Sequence, residues 1–126
     1  MKRKRSFVLD EKDEKAVELF TDLGMPRNLA KTLIYIAKAQ ECRSAEIEHQ
    51  ANLRQPEVSV AMHELQKRGW VNKRDLKKKG KGRPVHIYSL TSDINTIINN
   101  FEQEKIKQIN LIKKDLDELK NLIENK

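Results

Sequence analysis

The chain is poor in the residues that staple or interrupt a fold. Its 126 residues include one cysteine, three prolines and four glycines, and aromatic side chains make up 5%. A lone Cys42 excludes an internal disulfide and fits a reducing compartment; a partly buried thiol near a helix end suits it better than a redox sensor. No apolar run approaches the roughly 18 residues that a membrane span requires, and no hydrophobic segment follows the basic N-terminus as it would in a signal peptide. A cytoplasmic protein with no membrane partner is expected. Catalytic signatures are missing as well. His49, His63 and His86 fall on different expected elements, there is no His-Glu-x-x-His and no glycine-rich phosphate loop, and Cys42 with His49 is too sparse a pair for a metal site. The residues argue against an enzyme and require neither a metal nor a cofactor.

What the chain does have is charge, unevenly placed. Charged residues make up 36% and apolar residues 37%, enough Leu, Ile and Val for one modest domain. The net charge is +7. From Gln66 to His86, nine basic residues (Lys67, Arg68, Lys73, Arg74, Lys77, Lys78, Lys79, Lys81 and Arg83) stand against Asp75 alone, a local +8. That segment exceeds the net charge of the whole chain. Lys2, Arg3, Lys4 and Arg5 form a second cluster in a basic arm over residues 1–10 that is expected to be flexible. Charge so concentrated attracts a polyanion, because every neutralised phosphate releases condensed counterions; the plainer alternative is a solvated charge run, and only order in the segment separates the two.

Periodicity supplies that order. Ala16, Leu19, Phe20 and Leu23 recur at helical spacing before Gly24. Pro26 then suits the first position of a second helix, with Leu29, Leu33, Ile34 and Ala37 on one face. Ser44 can cap a third helix that carries Ile47 and Ala51 inward. A fourth begins at Pro56 and stops at Gly69, and at about 100° per residue Val58, Ala61, Met62 and Leu65 share its inner side. Pro56, Ser59, Val60, His63 and Lys67 fall on the outer side, with Glu64 at the margin. Trp70 and Val71 open a strand, Pro84 to Leu90 form its return, and glycines 80 and 82 permit a tight reversal between them. The result is a β-hairpin whose tip is nearly pure positive charge.

From Thr91 to Lys126 there is no Gly or Pro, and one helix of roughly 34 residues would span about 50 Å. Ile109, Ile112, Leu116, Leu119 and Ile123 step by 3, 4, 3 and 4, the a/d seam of a coiled coil. A stripe this long suits self-association as a two-fold dimer; the alternative is that it folds back on the first two helices of its own chain.

Four helices followed by a basic hairpin give a helix-turn-helix with a wing. The stretch "SAEIEHQANLRQPEVSVAMHELQKRGWV" resembles the winged helix-turn-helix of MarR-like, ArsR-like and archaeal TrmB-like transcriptional regulators, and "GKGRPVHIYSLT" resembles their wing and exit strand. The resemblance runs from Ala30 to Thr91, about half the chain. It implies a mainly α fold with a small β-hairpin (α+β): a winged helix-turn-helix domain over residues 11–91, then a dimerisation helix over 92–126. It also implies a homodimer that binds double-stranded DNA. The fourth helix would enter the major groove, with Gln55, Ser59, Val60 and His63 at base edges. Lys67, Arg74, Lys77, Lys78, Lys79, Lys81 and Arg83 would lie on the phosphate backbone or in the minor groove. Ile109, Ile112, Leu116, Leu119 and Ile123 would join two copies. A sequence-blind DNA-packaging protein or a winged-helix protein-interaction module are the competing readings.

Overall fold

In the computed structural model, which describes residues 9–76 and 85–124, α1 spans Glu11–Asp22 and α2 Arg27–Ala39. Asp10 caps α1 reciprocally: its Oδ1 accepts the Asp13 N–H at 2.9 Å, and Asp13 Oδ2 accepts the Asp10 N–H at 2.9 Å. Lys38 of α2 donates to both carboxylates, at 3.2 Å to Asp10 and 2.6 Å to Asp13. The Asp13 N–H and then the Lys38 ammonium hold the Asp10 carboxyl below the usual carboxylate range. Asp13 first among its neighbours raises the Lys38 ammonium.

This clasp fixes which side of α1 faces inward. Val17 and Phe20 are buried, whereas Leu19 and Leu23 are each 52% exposed. The expected face through Ala16, Leu19, Phe20 and Leu23 is therefore corrected by most of a residue's turn about the helix axis. Asp13 lies on the same side as Val17, and pairing with Lys38 brings that side against α2. Helix α2 is the centre of the core: Leu29, Ala30, Thr32, Leu33, Ile34, Tyr35, Ile36 and Ala39 are all buried. It packs on α1, α4 and the sheet, so its burial extends well beyond the single face read from spacing. Pro26 is its N-cap rather than its first residue.

A two-residue strand, β1 (Glu41–Cys42), precedes α3 (Ser44–Gln50) and α4 (Gln55–Lys67). Strands β2 (Val71–Leu76) and β3 (Val85–Leu90) follow, and the antiparallel sheet has the order β1-β3-β2. The expected hairpin thus carries a third strand, with Cys42 opposite Tyr88 and the Cys42 thiol buried. Helix α3 is capped at Arg43, one residue before the expected Ser44, because Glu46 Oε1 accepts the Arg43 N–H at 3.0 Å. Helix α4 repeats the device, Glu57 accepting the Arg54 N–H at 2.8 Å, so that Gln55 opens the helix and Pro56 is second. The turn between them places Asn52 at φ 56°, a left-handed conformation that Asn tolerates better than most side chains.

The chain forms two compact units, Met1–Ser92 and Asp93–Lys126. The second unit is one helix, α5 (Ile94–Glu124). No helix among the described residues is long and apolar enough to cross a membrane.

Candidate nucleic-acid interface

The inner side of α4 is as its spacing indicates: Val58, Ala61, Met62 and Leu65 are buried. Fixing these four to the core leaves Gln55, Pro56, Ser59, Val60, His63, Gln66 and Lys67 exposed on the opposite side. Val60 is 71% exposed. Glu64, at the margin, accepts from Arg68 Nε at 3.1 Å, and the Arg68 guanidinium lies 4.8 Å from the Trp70 ring centroid. Glu64's charge is thereby answered within its own helix.

The base of the wing is latched to the end of α4. Gly69 turns the chain at φ 78°, and a Cβ added there would meet nothing within 4 Å. Trp70 N–H donates to Leu65 O at 3.0 Å, while the Thr91 N–H and hydroxyl donate to Trp70 O at 2.9 Å and Gly69 O at 2.7 Å. The strands are cross-braced at Asp75 and His86, which are register partners with Oδ1 and Nδ1 2.7 Å apart.

Between the start of α3, the outer side of α4 and β3 lies a cleft of about 210 Å³, lined by Ser44, Gln55, Val58, Ser59, Met62, His63, Gln66 and Tyr88. Gln55, Ser59 and His63 therefore converge on one hollow. Val60 does not: it lies on an open groove of about 800 Å³ with Pro26, Leu29 and Pro56, although Ser59 and His63 border both. Burial raises the Tyr88 phenol, against a hydrogen bond with Ser44 that lowers it. Tyr88 and Ser44 thus form a neutral polar wall facing the side chains of α4.

Sequence reasoning missed Gln66, Ser44 and Tyr88. Gln66 was findable, since Ser59, His63 and Gln66 follow the 3.6-residue spacing of one face. Ser44 and Tyr88 reach the cleft only through tertiary packing. Of the basic residues, Lys67 is exposed in the last turn of α4, and Arg74 donates to Glu41 at 3.1 Å, so its charge is partly neutralised from β1. Lys77, Lys78, Lys79, Lys81 and Arg83 lie outside the described residues. On α5, Ile109, Ile112, Leu116, Leu119 and Ile123 are 50%, 58%, 50%, 52% and 66% exposed. Among the described residues no group of three or more His, Cys, Asp or Glu is placed to hold a metal ion.

An antiparallel wing following a helix-turn-helix defines the winged helix-turn-helix fold, with a long helix appended. Several solved structures are similar to it over most of this chain. A protein described as a possible transcriptional regulator from Methanosarcina mazei Go1 matches with a TM-score of 0.62 at 15% identity, over 90% of this chain and 98% of that one. TrmBL2, described as an archaeal chromatin protein with a novel mode of DNA binding, matches with a TM-score of 0.57 at 16% identity, over 88% of this chain and 43% of that one. A MarR family regulator from Neisseria meningitidis matches with a TM-score of 0.50 at 18% identity, over 88% and 84%. No family model and no curated protein matches the sequence. The fold is thus that of the MarR-like and TrmB-like winged-helix regulators.

Proposed function

We propose that this chain is a sequence-specific, double-stranded-DNA-binding transcriptional regulator that acts as a homodimer. The observation that carries the proposal is the convergence of Gln55, Ser59 and His63 on the exposed side of α4, in a chain whose sequence from Gln66 to His86 carries a local charge of +8. Helix α4 is of a size that the major groove admits, the groove being about 12 Å wide, and amide, hydroxyl and imidazole groups are the kinds that read base edges there. Val60 offers an apolar contact to a thymine methyl. Lys67 and the wing residues Lys77, Lys78, Lys79, Lys81 and Arg83 contribute attraction to phosphate, which holds the helix without selecting sequence. Arg74 takes part only if its bond to Glu41 opens. The seam of α5 joins two copies, so that two reading helices can address half-sites about 34 Å apart.

A second reading, sequence-blind packaging of DNA, is favoured by the likeness to an archaeal chromatin protein and by the concentration of charge. Binding to genomic fragments at rising salt separates the two. A regulator retains a subset of fragments near physiological salt, because base contacts survive screening. Simultaneous loss of all fragments would overturn specific recognition and leave packaging standing. Within the proposal, replacing Lys77, Lys78 and Lys79 with Ala weakens binding to every sequence alike, whereas His63→Ala narrows the difference between retained and lost fragments.

A further inference from the structure

We infer that His86 contacts a DNA phosphate from the wing and that Asp75 sustains its charge, a coupling of backbone binding to proton uptake that rests on the DNA binding proposed above and goes beyond it. Asp75 is the one acid among the nine basic residues between Gln66 and His86. A carboxylate in that setting subtracts from the attraction to phosphate unless another group answers it. His86 does so: the two are register partners on β2 and β3, with Oδ1 and Nδ1 2.7 Å apart. The side chains are 41% exposed at His86 and 56% at Asp75. An ion pair that open adds little to two strands already paired from Val71 with Leu90 to Leu76 with Val85.

The pair leaves the imidazole ready for a second anion. An ionised carboxylate only accepts hydrogen bonds, so the hydrogen between the two lies on Nδ1 and the other ring nitrogen, Nε2, is left for another partner. Among the described residues nothing hydrogen-bonds Nε2. Strand register fixes the side on which the ring sits. Lys73 is opposite Tyr88 and Asp75 opposite His86, so side chains that alternate between faces put all four on one face of the sheet. Tyr88 lines the cleft with Ser59, His63 and Gln66 of α4, and the His86 and Tyr88 ring centroids are 6.5 Å apart. His86 therefore lies on the sheet face turned to α4, two residues from the cleft wall.

Two anions on one imidazole favour its charged form. Asp75 accepts from Nδ1–H and a phosphate oxygen accepts from Nε2–H, the proton coming from solvent where the ring was neutral beforehand. Lys73, on the same face, opposes the charge, as does His63 of α4 when protonated. Ser44 of α3 and Tyr88 are neutral, and the buried Cys42 of β1 stands opposite Tyr88. Arg74 and Glu41 pair with each other, Arg68 of α4 pairs with Glu64, and on α2 Tyr35 bonds to Glu46 while Lys38 is clasped by Asp10 and Asp13. Asp75 is the carboxylate in contact with the ring. Since imidazole is the side chain that ordinarily changes charge between about pH 5 and 8, the added phosphate contact is present at the lower end of that range and lost toward the upper.

The test compares the full-length chain with His86→Gln for affinity to one fixed, mixed-sequence DNA duplex, read by fluorescence anisotropy over a range of salt at about pH 6 and about pH 8. Glutamine keeps a donor for Asp75, and so the brace between the strands, but carries no charge. At the lower pH the slope of log affinity against log salt is expected to be shallower in His86→Gln by about 0.9, the share of one phosphate contact, and the two chains converge at the higher pH. His49 and His63 are common to both chains and cancel in the comparison. Asp75→Asn keeps an acceptor for Nδ1–H without the charge and is expected to move the gain in affinity to lower pH; a profile that it leaves unchanged overturns the role given to Asp75. Equal salt slopes at about pH 6, or a loss in His86→Gln that is the same at both pH values, would reduce the pair to a brace and overturn the phosphate contact while leaving DNA binding standing. Failure of the unsubstituted chain to bind the duplex even at low salt overturns both.

Discussion

Tyr35 and Glu46 offer the most direct check on how the helix-turn-helix is held. Tyr35 is fully buried in α2, and its hydroxyl donates to Glu46 Oε2 at 3.2 Å. The other oxygen of Glu46 accepts the Arg43 N–H at 3.0 Å and starts α3. One carboxylate therefore both caps α3 and ties it to the core helix, four residues of turn before α4. Tyr35→Phe removes this hydrogen bond to a charged acceptor. At 3.2 Å and partly open to solvent, it is worth less than a short buried bond to a charged group, about 1 kcal/mol. Glu46→Ala removes that bond and a cap contribution of about 1 kcal/mol, roughly 2 kcal/mol together. Once Phe stands at 35, Glu46→Ala loses only the cap, so a double-mutant cycle by urea unfolding is expected to return a coupling of about 1 kcal/mol. Effects that add to within about 0.3 kcal/mol would refute the reasoning. DNA affinity of the Tyr35→Phe chain is expected to fall at all sequences, because the change loosens the seating of the helix-turn-helix and touches no base-reading side chain.

Gly69→Ala is expected to destabilise by about 1 kcal/mol by urea unfolding, from the left-handed φ alone, since the added Cβ meets no atom within 4 Å; a loss above about 3 kcal/mol would show crowding instead. Leu65→Ala, at a fully buried position on the inner side of α4, should cost about 2–5 kcal/mol. Truncation after Phe101 removes the exposed seam and is expected to give a monomer by sedimentation; a persistent dimer would place the contact elsewhere. The Asp10–Asp13–Lys38 clasp makes stability depend on pH at both extremes. Asp10 is held below its ordinary 3.8, so its contribution is complete above that value and is lost as pH falls through the lower folded one. Lys38 is held above 10.5, so its contribution is complete below that value and is lost as pH rises beyond it. Thermal unfolding of Lys38→Met across pH should lack the alkaline effect and keep the larger part of the acid one, which comes from the Asp13 N–H.

The outer face of α4 was legible in the sequence because helical spacing alone separates Val58, Ala61, Met62 and Leu65 from Ser59, His63 and Lys67. The stop at Gly69 was legible for a similarly local reason, as the left-handed turn favours glycine. The face of α1 was not. Leu19 and Leu23 are as apolar as Val17 and Phe20, and two overlapping stripes competed; the ion pairs of Asp10 and Asp13 with Lys38, 28 and 25 residues away, decided between them. Strand β1 was invisible because two residues carry no periodicity and gain a partner only when β3, more than 40 residues later, lies beside them.

What the sequence by itself determined is what depends on spacing within a few turns: the exposed side of α4, the apolar seam of α5 and the concentration of positive charge between Gln66 and His86. What only the tertiary structure decided is which of those features meet. It set Tyr88 and Ser44 against Gln55, Ser59 and His63 around one cleft, turned Val60 to a separate groove and gave Arg74 to Glu41. Each of these joins residues far apart in the chain, and such pairings are chosen by the fit of whole surfaces, which local periodicity does not encode.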